Sequence, residues 1–74
     1  MASRAPQIKK RSVTISGHRT SITLEDIFWQ ALRDIATDRG LSLAALVEEI
    51  DDLRTTALSS ALRVYAMEHA PRKT

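Results

Sequence analysis

At Leu24 the hydrophobic period of this chain changes from strand-like to helical, and that switch constrains the fold more than any other feature. Upstream, Val13 and Ile15 share one side of an alternating segment, with Ser12, Thr14 and Ser16 on the other. After Gly17 the parity flips: Thr20, Ile22 and Leu24 fall on one face, Arg19, Ser21 and Thr23 on the other. A parity change at a glycine marks a bulge or a tight turn. The alternation predicts two short strands, 11–16 and 19–24, with Ser16-Gly17-His18 between them. Downstream, Ile27, Phe28, Ala31, Leu32 and Ile35 follow the spacing of one buried helix face, behind Glu25 and Asp26 in the first turn. Gly40 suits the left-handed position just past a helix end. Ser42 is a favoured N-cap for a second helix, whose apolar face is Leu43, Leu46, Val47, Ile50 and Leu53. A third helical stretch, capped by Thr56 or Ser59, turns Leu58, Ala61, Leu62 and Tyr65 inward and stops at Pro71. A kinked continuation of the second helix is the alternative.

One strand and two helices, 19–54, make a poor monomer, because an unpaired strand exposes its backbone groups. The chain has 74 residues, and a domain of that size hides only about 60% of its unfolded surface. Small domains compensate with disulfides, a structural metal or association. Cysteine is absent, which removes disulfides, thiolate metal sites and a cysteine nucleophile together. His18 and His69 are too few for a histidine cage. No metal or cofactor is expected, and association is the staple that remains. Pairing the strand with its copy about a two-fold axis would complete both chains.

Charge is unevenly spread. Residues 1–20 carry Arg4, Lys9, Lys10, Arg11 and Arg19 without an acid, whereas residues 21–70 hold all nine acids against four arginines. Arg72 and Lys73 return to positive charge at the end. A basic segment on an acidic body attracts a polyanion such as nucleic-acid phosphate. No apolar run approaches the roughly 20 residues of a membrane span, and the N-terminus lacks the apolar core of a secretory signal, so a cytoplasmic protein is expected. No serine is set beside a histidine and an acid, and Gly17 and Gly40 cannot build a phosphate-cradling loop. An enzyme is not expected.

The stretch Arg19-Thr-Ser-Ile-Thr-Leu24, the helix to Arg39, the link Gly40-Leu-Ser42 and the helix from Leu43 resemble the ribbon-helix-helix DNA-binding proteins, the Arc/MetJ/CopG class. The longer string from Lys10 to Glu25, with Phe28-Trp29 and Ala57-Leu-Ser-Ser-Ala-Leu-Arg63, is similar to a subfamily of short bacterial ribbon-helix-helix proteins. The resemblance implies a mainly α fold with a short β-ribbon: an intertwined homodimer with intermolecular antiparallel strands, plus a C-terminal helix. It implies a transcriptional regulator, a repressor, that reads double-stranded DNA through the major groove. By position, Arg19, Ser21 and Thr23 would touch bases, while Ile22, Leu24, Phe28, Leu32, Leu46 and Ile50 form the dimer core. Phosphate contacts fall to Lys9, Lys10 and Arg11 and to the second helix's N-terminus at Ser42, Leu43 and Ala44. The second alternating segment, 11–16, departs from the family's single strand: it could fold back as a hairpin edge, extend the ribbon or itself enter the groove.

The chain therefore divides into a flexible basic arm (1–10), a ribbon-helix-helix domain (11–54), a helical extension (55–70) and a basic tail (71–74). The rival reading is an interaction module or antitoxin of the same fold, with residues 55–74 binding a protein partner. Trp29, Phe28 and Tyr65 read as packing residues, His18 as a turn residue and His69 as a cation suited to a helix end.

Overall fold

Ser16 and Gly17 both take positive φ, 50° and 82°, the combination that a two-residue hairpin turn requires. The computed structural model describes residues 7–70. Strand β1, Ile8–Ile15, turns at Ser16-Gly17 into β2, His18–Glu25, and helices α1 (Asp26–Arg39), α2 (Leu43–Leu53) and α3 (Leu58–His69) follow. The two strands pair antiparallel without a bulge, from Ile15 opposite His18 to Ile8 opposite Glu25. Asp26 N–H donates to the Gln7 carbonyl at 2.6 Å, so the ladder continues one step beyond the strands.

The expected short β-ribbon followed by helices is present, and the upstream segment folds back on β2 as a hairpin edge within the chain. Ile8, Lys9 and Lys10 are strand residues rather than part of a flexible arm; residues 1–6 and the tail 71–74 lie outside the described residues. His18 opens β2 instead of sitting in the turn.

Val13, Ile15, Ile22 and Leu24 turn to the same side of the hairpin, where all three helices cover them. Leu24, Trp29, Leu32, Leu46 and Leu62 are fully buried there, with Ile22 and Ile50 at 4% exposure. The set expected to close between two chains thus closes within one, with Phe28 half-buried against it. Trp29 fills the centre of this core, and its indole N–H donates to the Lys9 carbonyl at 3.0 Å. With Trp29 inside, α1 buries Trp29, Leu32, Ile35 and Ala36, and its phase leaves Ile27 71% exposed rather than on the core face. Leu53, expected to be inward at the end of α2, is likewise exposed.

Gly40 takes φ 72° at the end of α1 and donates its N–H to the Thr37 carbonyl, as a helix-terminating glycine does. Residues 54–57 separate α2 from α3, so these are two helices. Ala57 occupies the N-cap of α3 without a side-chain cap; neither Thr56 nor Ser59 fills that role. Leu62 and Ala66 of α3 are buried in the common core, so the helical extension, 55–70, packs against the ribbon-helix-helix elements.

Two ion pairs tie the layers. Arg63 of α3 donates to Glu25 at 2.8 Å, and Arg39 donates to both oxygens of Glu49, at 2.7 and 3.1 Å, and to Tyr65 Oη at 2.9 Å. The hydrogen bonds from Arg63 and Arg39 hold the Glu25 and Glu49 carboxyls below their ordinary value of 4.5. A carboxylate with a depressed folded-state pKa stabilises the fold above its unfolded value, and that contribution is lost as pH falls through the folded one. Stability should therefore decline below about pH 4.5. Arg63→Ala should flatten that acid limb, as thermal melts at stepped pH would measure; the exposure of both pairs keeps the effect modest.

Candidate nucleic-acid interface

The hairpin has a second face, turned away from the helices, and it is polar throughout its centre. Lys10, Ser12 and Thr14 of β1 stand opposite Thr23, Ser21 and Arg19 of β2, and all six are exposed. Because Gln7 and Asp26 form a hydrogen-bonded pair, these three pairs fall at the non-hydrogen-bonded positions, where cross-strand side chains stand closest. The face has two cations, four hydroxyls and no acid among these six residues. Glu25 lies beyond it and is paired with Arg63.

The tip of the ribbon is fixed to the body. Ser16, in its left-handed conformation, donates its backbone N–H to Glu48 Oε2 at 2.7 Å, and its hydroxyl reaches the same oxygen at 3.3 Å. Glu48, read from sequence as part of a solvated side, is the α2 residue that holds the turn.

The expected base-contacting residues Arg19, Ser21 and Thr23 therefore share one exposed face, joined there by Lys10. Two other expected phosphate contacts sit elsewhere. Lys9 falls on the helix-facing register and approaches Asp26 at 3.5 Å. Arg11 faces the helices opposite Ile22, its guanidinium carbon 5.7 Å from the centre of the Trp29 ring and its Nε buried. It is half-buried and packs over Trp29, apart from the exposed face of the ribbon. Ser12 and Thr14, on the strand left open as the alternative reader of the groove, stand on the same face as Arg19, Ser21 and Thr23.

Ser42, Leu43 and Ala44 open α2 on the helix-bearing side, so the fold does not bring them onto the outer face of the ribbon. Ser42 Oγ accepts from Ala45 N–H at 3.0 Å and caps the helix, while the Leu43 side chain packs against the core. Ser42→Ala is expected to cost about 1 kcal/mol and Ser42→Gly only a few tenths, measured by urea denaturation.

Among the described residues, no group of three or more His, Asp or Glu side chains could hold a metal, and no helix is long and apolar enough to cross a membrane.

Residues 8–70 match the ribbon-helix-helix domain family. The chain belongs to that family. Ribbon-helix-helix proteins are commonly DNA-binding regulators or antitoxins, and they typically dimerise. The ribbon-helix-helix chain is also similar to a solved structure, that of an uncharacterized protein from Bordetella pertussis Tohama I. The TM-score is 0.75 at 31% identity, over 86% of this chain and 56% of that one. This ribbon-helix-helix chain thus spans just over half the length of that relative. No match was found among the curated proteins.

Proposed function

We propose that this ribbon-helix-helix protein is a sequence-specific DNA-binding transcriptional regulator, a repressor working in the bacterial cytoplasm, whose β-ribbon enters the major groove. The observation that carries the reading is the exposed, acid-free face of Lys10, Ser12, Thr14, Arg19, Ser21 and Thr23. A two-stranded ribbon has the width that the major groove admits. Arg19 can make a bidentate contact to guanine, and the hydroxyls can donate to or accept from base edges. Trp29 and Glu48 hold the ribbon rigid before it meets DNA, which lowers the cost of ordering it. As a homodimer the protein would set two ribbons in major grooves one helical turn, about 34 Å, apart.

Selection of bound duplexes from a random DNA pool tests this. A common enriched element is the expected result; an unenriched pool would sink the reading.

A second reading has its own observation. Ile50, Leu53, Val64 and Tyr65 line an open groove of about 310 Å³ between α2 and α3, and Leu53 and Val64 are 74% and 54% exposed. An antitoxin or other interaction module would use this surface for a protein partner. Co-purification with a partner, lost on Val64→Asp while DNA selection stays unchanged, would favour it.

A further inference from the structure

The two strands of the ribbon repeat one another. Lys9-Lys-Arg-Ser-Val-Thr-Ile15 and His18-Arg-Thr-Ser-Ile-Thr-Leu24 align at an offset of nine residues. Lys10 matches Arg19, Ser12 matches Ser21 and Thr14 matches Thr23, while inside Val13 matches Ile22 and Ile15 matches Leu24. The register then gives the repeat a geometric meaning. Ser12 lies opposite Ser21, so a two-fold axis through that pair, perpendicular to the sheet, carries each residue of β1 onto its match in β2.

We infer that the hairpin is a pseudo-two-fold ribbon, by which a single chain reads a quasi-palindromic DNA element with both of its strands. The inference rests on the DNA reading proposed above and assigns Ser12 and Thr14 to base recognition alongside Ser21 and Thr23. Along the ribbon, the step from the Lys10–Thr23 pair to the Thr14–Arg19 pair is four residues, or about 14 Å at roughly 3.4 Å per residue. That length covers about four base pairs. Lys10 and Arg19 take the two diagonal ends of the face, and the serine pair takes its centre. Duplex DNA has its own two-fold axes perpendicular to the helix, so a ribbon of this symmetry meets both strands alike.

The symmetry fails on the helix-facing side, at Lys9–His18 and most sharply at Arg11–Thr20, and the fold gives the reason. Arg11 matches Thr20, but both face the single set of helices, where only one Trp29 exists to receive a guanidinium. Matching persists where the ribbon meets solvent and in the four apolar residues beneath. It ends where one copy of the helices must be served.

The test combines selection from a random pool with the mass of the complex formed on a short duplex carrying one element. The inference expects a quasi-palindromic core of about four base pairs, bound by one chain. Thr14→Ala and Thr23→Ala should each weaken binding by about 5- to 150-fold, and each should relax preference at one of two symmetry-related positions. Lys10→Arg makes the outer face symmetric and should shift selection toward a perfect palindrome. Circular dichroism of each variant confirms that the fold is retained, as exposed positions allow. Two chains per core, with Ser12→Ala and Thr14→Ala leaving base preference untouched, would overturn the inference while DNA recognition stands. An unenriched pool would overturn both.

Discussion

Replacing Trp29 by alanine is expected to remove about 3–5 kcal/mol of folding stability, the largest loss that a single truncation in this core should produce. Trp29 is the largest fully buried side chain, and α1 sets it between the ribbon and the other helices. Its removal empties the largest fully buried position in a core that both strands and all three helices share. A domain of this size holds only about 3–5 kcal/mol from its core, so the variant should be largely unfolded at room temperature. Trp29→Phe separates packing from hydrogen bonding. It keeps a ring but drops the indole donor to the Lys9 carbonyl, and should cost about 1 kcal/mol beyond the volume change. Trp29 is the protein's one tryptophan, so urea denaturation must be followed by circular dichroism rather than fluorescence. A Trp29→Ala variant within about 1 kcal/mol of the parent would mean that the core is completed elsewhere, by another chain.

What could be read from the sequence follows from which signals are local. The period switch at Leu24, the left-handed Gly40 and the Ser42 cap are each decided within a few residues, and each stands in the structure. The hairpin was half legible. Gly17 announced a break in parity, but a turn and a bulge produce the same flip, and only pairing tells them apart. Once the turn is known, the exposed face follows from parity alone, including Ser12 and Thr14. Helix phase was less legible. Ile27 and Trp29 are both apolar and two positions apart, so periodicity cannot choose between them; volume does, because the space beneath the ribbon takes an indole.

Charge misled for a related reason. Lys9, Lys10 and Arg11 form one basic run in the sequence, yet a strand alternates its sides, so neighbours in the run go to opposite faces. Lys10 stays on the exposed face, while Lys9 meets Asp26 and Arg11 meets Trp29. Glu48 shows the converse. It read as one of several acids on a solvated side, and its role at the turn depends on a contact 32 residues away in sequence. The offset-nine repeat lay in plain view, but without the register nothing distinguished it from two strands of similar composition.

Arg11 and Arg19 should accordingly respond to alanine in opposite ways. Arg19→Ala removes an exposed side chain on the outer face of the ribbon, so stability should stay within about 0.5 kcal/mol of the parent. On the preferred DNA element it should cost about 1–3 kcal/mol and relax preference at one base position. Arg11→Ala removes a cation over an indole face, worth about 0.5–2 kcal/mol, together with the aliphatic stem that covers the ring. Its cost should appear in the urea midpoint, and the folded fraction should keep the parent's base preference. Arg11→Met refines the contrast. It retains the stem and deletes the Nε, which is buried without a hydrogen-bond partner among the described residues, so it should recover most of what alanine loses. Urea midpoints and binding curves on the same three variants read both axes. If Arg11→Ala relaxes base preference while leaving stability unchanged, the side of the ribbon that meets DNA is the one facing the helices, and the whole orientation of the interface must be reversed. The burial of Val13, Ile15, Ile22 and Leu24 on that side weighs against it, because no groove could reach past them without unpacking the core.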